Sequence, residues 1–335
     1  MFRATITDIA RELGLSASTV SRALHDHPDI SEATKTKVKE IAARLDYFPD
    51  SIAQGFKKQR TSTIGIIVPE IQHHFFSSAI SGIEDLAYNA GFTIMVCQSN
   101  EDYEREKLNL RAMVSNRVAG LLVSLSQSTM DVSHFDILKK RKIPVVFFDR
   151  THEDLTGSQV KVDDHNGAYQ LVSHLIDRGY KHIAHIAGPS NILIGREREC
   201  GYRDALIDRG LTIDESLIVR GGYRNSDGTH GAEKLLALPK RPDAIFCVND
   251  PVALGAYLVI KQQGLRIPND IALAGFSNNP ISALIEPPLT TVDQMSYDIG
   301  KSAAALLLEQ IEKGVDNVSP VILVKKTKLI IRKST

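Results

Sequence analysis

A small all-α helix-turn-helix domain, followed by an α/β core of two doubly wound parallel-sheet lobes, is the fold class this 335-residue sequence predicts. Three observations predict it. Residues 1–48 hold closely spaced amphipathic helical segments, residues 63 onward switch to short Val/Ile-rich runs alternating with longer amphipathic stretches, and those alternations are too many for one sheet.

From Thr5 the sequence reads TITDIARELGLSASTVSRAL, and Ile6, Ile9, Ala10 and Leu13 fall at i, i+3, i+4 and i+7, the apolar stripe of a short helix. Thr5 is placed to cap its start and Gly14 its end. Ser16 offers a second N-cap; Val20, Ala23 and Leu24 then face inward while Ala17, Ser18, Ser21, Arg22 and His25 face outward. A third helix starts at Ser31, with Val38, Ile41, Ala42 and Leu45 as its stripe, and the unit ends near residues 47–49. Two helices joined by a tight Gly-containing turn make a helix-turn-helix, a geometry that also occurs in bundles that touch no DNA. The outward face decides between the two readings. Small Ala17 and Ser18 permit close approach to base edges, and Arg22 can donate two hydrogen bonds to guanine O6 and N7. Thr5, Ser16, Thr19 and Ser31, at helix starts, suit phosphate contacts. The expected partner is double-stranded DNA.

Residues 49–62 follow as a linker with helical potential, DSIAQGFKKQRTST after Pro49, in which Ile52, Ala53 and Phe56 form a short apolar pattern. A helix this short is marginal in water and Gly55 weakens it further, so it is expected to order only against DNA and a paired partner chain.

In the core, strands are expected over 63–69, 92–97, 118–124, 143–149, 182–188, 244–248 and 271–276, with helices between them. Nearly continuous Val, Ile and Leu suit strands covered on both faces, hence parallel sheets. The polar, turn-rich stretch 150–163 marks the division between lobes, lobe 1 taking about 63–161 and 293–324 and lobe 2 about 162–292 and 325–335. Ligands in doubly wound folds sit at the carboxyl ends of strands. The residues at that address are Phe75 and Phe76, Asp149 and Arg150, Asn249 and Asp250, and Ser277 and Asn278.

Composition narrows the function classes. The formal net charge is zero, 40 basic against 40 acidic side chains, so a DNA-binding surface must be local. Cys97, Cys200 and Cys247 are far apart, which suits free thiols in a reducing compartment. No basic stretch leads into an apolar leader segment and no run approaches the ~20 apolar residues of a membrane span, so a cytoplasmic protein with no membrane partner is expected. A sugar-binding receptor would need export and would have no use for residues 1–60. An enzyme is not expected: no activated-nucleophile motif, phosphate-binding loop or clustered metal spacing is present, and no cofactor or metal is called for. His182 and His185, three apart on a strand, point to opposite faces, and with His73 and His74 they read as core or solvent residues.

The ordered series of motifs resembles the lactose-repressor and galactose-repressor family of bacterial regulators over essentially the whole chain. TITDIARELGLSASTVSRAL looks like that family's DNA-binding opening, YFPDSIAQGF like its hinge helix, TSTIGIIVP like its first core strand, and NDPVALGA, GLRIPNDIALAGF and PPLTTVDQ like its late motifs. The resemblance implies a core similar to periplasmic sugar-binding proteins, a homodimer, a near-palindromic operator, and a small effector, a sugar or sugar derivative, closed between two lobes. By motif, the effector contacts it implies are Phe75, Phe76, Asp149, Arg198, Tyr223, Asn249, Ser277 and Gln294. That mixture also suits a sugar, aromatic faces for the ring and directional polar groups for the hydroxyls. Two departures stand out: Ser277 replaces the acidic residue usual in the family, and Phe56 replaces the leucine that its members wedge into the minor groove, a role a phenyl ring can also fill. The family's tetramer-forming C-terminal helix has no counterpart, since VILVKKTKLIIRKST looks like closing strands.

Overall fold

The computed structural model describes residues 4–47 and 61–335, and the chain divides into two compact units, Met1–Thr61 and Ser62–Thr335. In the first unit α1 (Ile6–Leu13), α2 (Ala17–Leu24) and α3 (Glu32–Arg44) close around Ile9, Ala10, Val20, Ala23, Val38 and Ala42. The start of α1 is tied by Asp8, whose carboxylate accepts from the Thr5 amide at 2.9 Å and the Thr5 hydroxyl at 2.6 Å. Gly14 adopts the left-handed φ of 64° that ends the helix, a conformation costly for a residue with a Cβ. Ser16 accepts from the Thr19 amide at 3.1 Å and Ser31 from the Thr34 amide at 3.3 Å, so both act as N-caps. Residues 48–60, which include the expected hinge positions Ile52, Ala53 and Phe56, lie outside the described residues.

The second unit carries two sheets. The larger is wholly parallel, made from β1 (Thr63–Val68), β2 (Thr93–Gln98), β3 (Gly120–Val123), β4 (Val145–Phe148), β5 (Ser158–Val162) and β11 (Ile322–Lys325), in the order β11-β5-β4-β3-β1-β2. The smaller is β7-β6-β8-β9, also parallel, from β6 (Ile183–Ala187), β7 (Ile218–Arg220), β8 (Ala244–Cys247) and β9 (Ala272–Ala274). Beside it β10 (Thr291–Asp293) and β12 (Lys328–Ile330) pair antiparallel, an element that the purely parallel expectation did not contain.

Helices cover both sheets: α4 (His74–Asn89), α5 (Tyr103–Ser115), α6 (Asp136–Lys140) and α11 (Ser296–Lys313) with the larger, and α7 (Asp164–Asp177), α8 (Leu193–Asp208), α9 (Asn225–Leu236) and α10 (Asp250–Gln262) with the smaller. The stretch 150–163, read from sequence as a polar divide, contains β5, whose Ser158 and Gln159 are buried polar residues in the larger sheet. The chain passes between the sheets after β5, after β10 and after β11, which puts Asp163, Asp164 and Gln294 beside the crossings.

His185 is a core residue, stacked on Phe246 at 4.5 Å and bonded through Nδ1 to the Phe246 carbonyl at 2.9 Å; burial pushes its pKa down to about 4. His182 lies just before β6, within 3.2 Å of the Lys240 carbonyl. Among the described residues no cluster of His, Cys, Asp or Glu is arranged to hold a metal, and no helix is long and apolar enough to cross a membrane. All three cysteines are free; Cys247 is buried, Cys97 half-buried and Cys200 exposed.

The helices flanking the smaller sheet meet at backbone contact. A Cβ on Gly228 of α9 would lie 1.9 Å from the Val252 carbonyl oxygen, and one on Gly255 of α10 would lie 1.9 Å from that of Asn225. Both glycines are fixed by the crossing, because a methyl there forces the helices apart. Gly255→Ala is expected to destabilise the core by about 1–3 kcal/mol, read as a lower urea midpoint at unchanged m-value; an unchanged midpoint would show that the crossing has room.

Candidate functional site

In each sheet the strand order reverses beside the first strand laid down, between β1 and β3 in the larger and between β6 and β8 in the smaller. Such switch points leave a crevice at the strands' carboxyl ends. Here the two crevices face one another and form a small cavity of about 20 Å³ lined by His73, Phe75, Phe76, Asp149, Arg150, Ile194, Arg198, Tyr223, Asn249, Ser277 and Gln294. The structure thus brings all eight residues named as effector contacts to one place, far apart though they are in sequence. It adds three that the contact set omitted: His73, Arg150 and Ile194. The sequence marks His73 only as a core or solvent residue, and Arg150 only as a residue at a strand end.

Local structure explains how each is held. Phe75 and Phe76 ride on the first turn of α4 and meet edge to face at 5.3 Å. Asp149 follows β4 with a left-handed φ of 59°, which turns the chain so that Asp149 and Arg150 both line the cavity. Asn249 caps α10: its Oδ1 accepts from the Val252 amide at 2.9 Å and its Nδ2 donates to the Tyr223 carbonyl at 3.0 Å. Much of its bonding capacity is therefore structural. Asp250, fully buried, accepts from Thr291 Oγ1 at 2.6 Å, Ser282 Oγ at 2.8 Å and the Asn279 amide at 2.7 Å, and so fixes the turn that presents Ser277. Ser277 Oγ accepts from Gln294 Nε2 at 2.7 Å.

Two guanidiniums lie at the centre. Arg198, 1% exposed, pairs with Asp164 at 2.7 Å, donates to the Val248 carbonyl at 2.6 Å and to Gln294 Oε1 at 3.2 Å, and lies 3.8 Å over the Phe276 ring. Arg150, 3% exposed, is bound by both oxygens of Glu101 at 2.7 and 2.8 Å and lies 4.2 Å from the Tyr223 ring centre. The Tyr223 face expected to receive a sugar ring is therefore covered by Arg150, and this corrects the stacking expectation for that residue. What Tyr223 offers is its hydroxyl, which is buried without a partner, as is Arg150 Nε. Arg150 Nε stands 4.0 Å from Asp149, too far for a hydrogen bond. Burial pushes the Asp149 carboxyl up to about 7, against the pull of Arg150 and Arg198. Burial likewise raises the Tyr223 hydroxyl and depresses His73, the latter helped by Arg150. Two unspent donors and one carboxyl group at the border of ionisation thus share this cavity.

The lobes are cross-linked around it. Arg224 Nε donates to Glu70 at 2.9 Å, Asn191 Nδ2 donates to the carbonyls of Gln127 at 2.7 Å and Thr129 at 3.2 Å, and Arg196 pairs with Glu153. In the helical unit Thr5, Ser16, Ala17, Ser18, Arg22, His25 and Ser31 are exposed, with Thr19 and Ser21 half-buried, so α2 offers a polar face of small side chains around one arginine.

Comparison with known proteins decides the family. Residues 5–50 match the model described as bacterial regulatory proteins of the lacI family, and residues 172–335 match a periplasmic binding protein-like domain. A similar protein is the HTH-type transcriptional repressor PurR of Vibrio parahaemolyticus, 33% identical over 329 residues, which are 97% of this chain and 98% of that one. The chain belongs to the lacI family. Among solved structures, this lacI-family chain superimposes on a lac repressor dimer bound to operator and the anti-inducer ONPF with a TM-score of 0.87 at 25% identity, covering 100% of this chain and 99% of that one. A transcriptional regulator CelR–cellobiose complex gives 0.76 at 29% identity, with 99% of this chain and 100% of that one covered. The chain is a DNA-binding regulator and not an enzyme, with a helix-turn-helix head and a periplasmic-binding-like core.

The raised Asp149 carboxyl has a thermodynamic consequence. Between its ordinary value of 3.8 and about 7 the folded core holds a proton that the unfolded chain has released, so Asp149 makes stability fall as pH rises through that window. Asp149→Asn is expected to flatten the slope by up to ~1.4 kcal/mol per pH unit, seen in urea unfolding at about pH 5 and about pH 7. An identical slope in the variant would mean that another group titrates.

Proposed function

We propose that this regulator is a cytoplasmic homodimeric repressor whose operator affinity is set by a sugar or sugar derivative bound between the lobes. The carrying observation is the convergence of the unpartnered Tyr223 hydroxyl and Arg150 Nε with Asp149, beside Phe75, Phe76, Arg198, Asn249, Ser277 and Gln294 in one interlobe cavity. A buried hydroxyl and a buried guanidinium N–H without partners favour a ligand rich in hydroxyl oxygens, as a vicinal diol is. A cavity of about 20 Å³ admits little more than a water molecule, so a sugar enters only as the lobes part or Arg150 swings aside. Ligand binding and lobe geometry are then one equilibrium.

On the DNA side, Ala17, Ser18 and Arg22 read bases in the major groove, Ser21 and His25 contact DNA from the same face, and Thr5, Ser16, Thr19 and Ser31 hold phosphates. Ile52, Ala53 and Phe56 form a hinge in the minor groove between the half-sites of a near-palindrome. The CelR–cellobiose complex supports the sugar reading, and the operator-bound lac repressor dimer supports the dimer and the operator.

Selection of bound DNA from a random pool, repeated with a panel of sugars and sugar phosphates, identifies operator and effector together. With the operator in hand, Arg22→Ala is expected to cost ~1–3 kcal/mol of affinity in a gel-shift titration and to relax preference at one base pair; full affinity would remove Arg22 from the reading face. Tyr223→Phe deletes only the unpartnered hydroxyl. It is expected to keep operator affinity while raising the effector concentration for half response about tenfold; an unshifted response would place the effector elsewhere.

A further inference from the structure

The larger sheet has a second concavity, at the end opposite the effector cleft. A cavity of about 460 Å³ opens where β4, β5 and β11 begin, between α6, the 154–157 loop and the 315–320 segment. That is the size of a small-molecule site. Its floor is apolar: Phe135 and Phe147 meet edge to face, 5.1 Å between centroids, flanked by Leu138 and Leu155. Gly157 is part of the wall, and a Cβ there would stand 3.1 Å from the Phe147 ring.

The polar end is formed by two buried side chains. Gln310, 7% exposed, donates Nε2 to Ser158 Oγ at 3.0 Å, and Ser158, 2% exposed, also accepts from the Val321 amide at 3.2 Å. Those two bonds leave the Gln310 carbonyl oxygen and the Ser158 hydroxyl proton to be met from the cavity that both residues line. The cavity thus pairs an apolar floor with one amide oxygen and one hydroxyl, the mixture that orients a small ligand. The acidic residues lining it, Asp131, Asp136 and Asp154, outnumber the one basic residue that does, Lys139, and a carboxylate ligand would meet them directly.

We infer that this cavity is a second small-molecule site, one that takes a flat, neutral aromatic carboxamide or lactam. The ring lies against Phe135 and Phe147, the ligand N–H donates to the Gln310 carbonyl, and the ligand carbonyl accepts from the Ser158 hydroxyl. The site shares no residue with the interlobe cavity and stands whether or not the effector reading holds.

The test titrates the full chain, methyl-labelled on Leu, Ile and Val, with benzamide and separately with benzoate, followed by NMR. Benzamide is expected to shift the methyls of Leu138, Val145, Leu155 and Val318 and not that of Ile194 in the cleft, with benzoate at least about tenfold weaker. Gln310→Met is expected to weaken benzamide about tenfold and Ser158→Ala to weaken it less. If Gln310→Met does not fold, Ser158→Ala and the benzamide–benzoate comparison on the unaltered chain still decide. No shift at those four residues, shifts confined to Ile194, equal binding of benzoate, or undiminished affinity in the folded variants would each overturn the inference.

Discussion

The interlobe cleft depends on keeping two guanidiniums out of water. Desolvating an ion costs several kcal/mol even after relaxation, and a single partner offsets that only when the geometry is good and the remaining protons are used. Arg198 meets the condition fully: a carboxylate, a backbone carbonyl, a side-chain amide and an aromatic face surround it. Arg150 meets it in part, with Glu101 on one edge, Tyr223 beneath, and Nε left over. The difference assigns their roles. Arg198 is scaffold that also lines the cavity, whereas Arg150 is the group with something left to give.

Glu101 carries the consequence beyond the cleft. Besides holding Arg150, its carboxylate accepts from the Gln127 amide at 2.8 Å, and its backbone carbonyl accepts from Ser128 Oγ at 2.8 Å. Glu106 holds the neighbouring Ser126 amide at 2.7 Å and Thr129 Oγ1 at 3.0 Å. Two buried acids thus shape the 126–129 turn, and it is this turn that Asn191 of the other lobe grips. A ligand oxygen that draws Arg150 away disturbs Glu101, and Glu101 supports one of the contacts that keeps the lobes together. The route from cleft chemistry to lobe geometry runs through named hydrogen bonds, the kind of discrete arrangement that coupling needs.

Periodicity and turn chemistry made the helical head and most strands legible, because each apolar run or stripe reports the face it buries. β5 is not legible because SQVKV offers only two apolar residues inside a polar, turn-rich stretch, and its Ser158 and Gln159 are buried by contacts made with Gln310, Leu155 and Val321, two of them from distant parts of the chain. The cleft was legible where motif and strand-end address agreed, as for Asp149 and Asn249. Glu101 was not, because its partner lies 49 residues away and nothing local marks a glutamate as buried. The same blindness hid the state of Tyr223: sequence names an aromatic ring at that place, but only the fold shows a guanidinium already lying on it.

β4 joins the two concavities. Val145 and Phe147 line the lower cavity, while Asp149 and Arg150, immediately beyond the strand, line the cleft. At ~3.3 Å per residue the named residues of the two sites are only about 7–17 Å apart along a strand hydrogen-bonded on both sides. β5 runs beside it in the same direction, from Ser158 in the lower cavity to Asp163 and Asp164 next to the crossing, where Asp164 holds Arg198. A rigid pair of strands transmits displacement with little loss, since close-packed interiors compress poorly. Whatever shifts the start of β4 or β5 therefore acts on the turn bearing Asp149 and Arg150 and on the carboxylate of Asp164, the groups on which the cleft's charge balance rests.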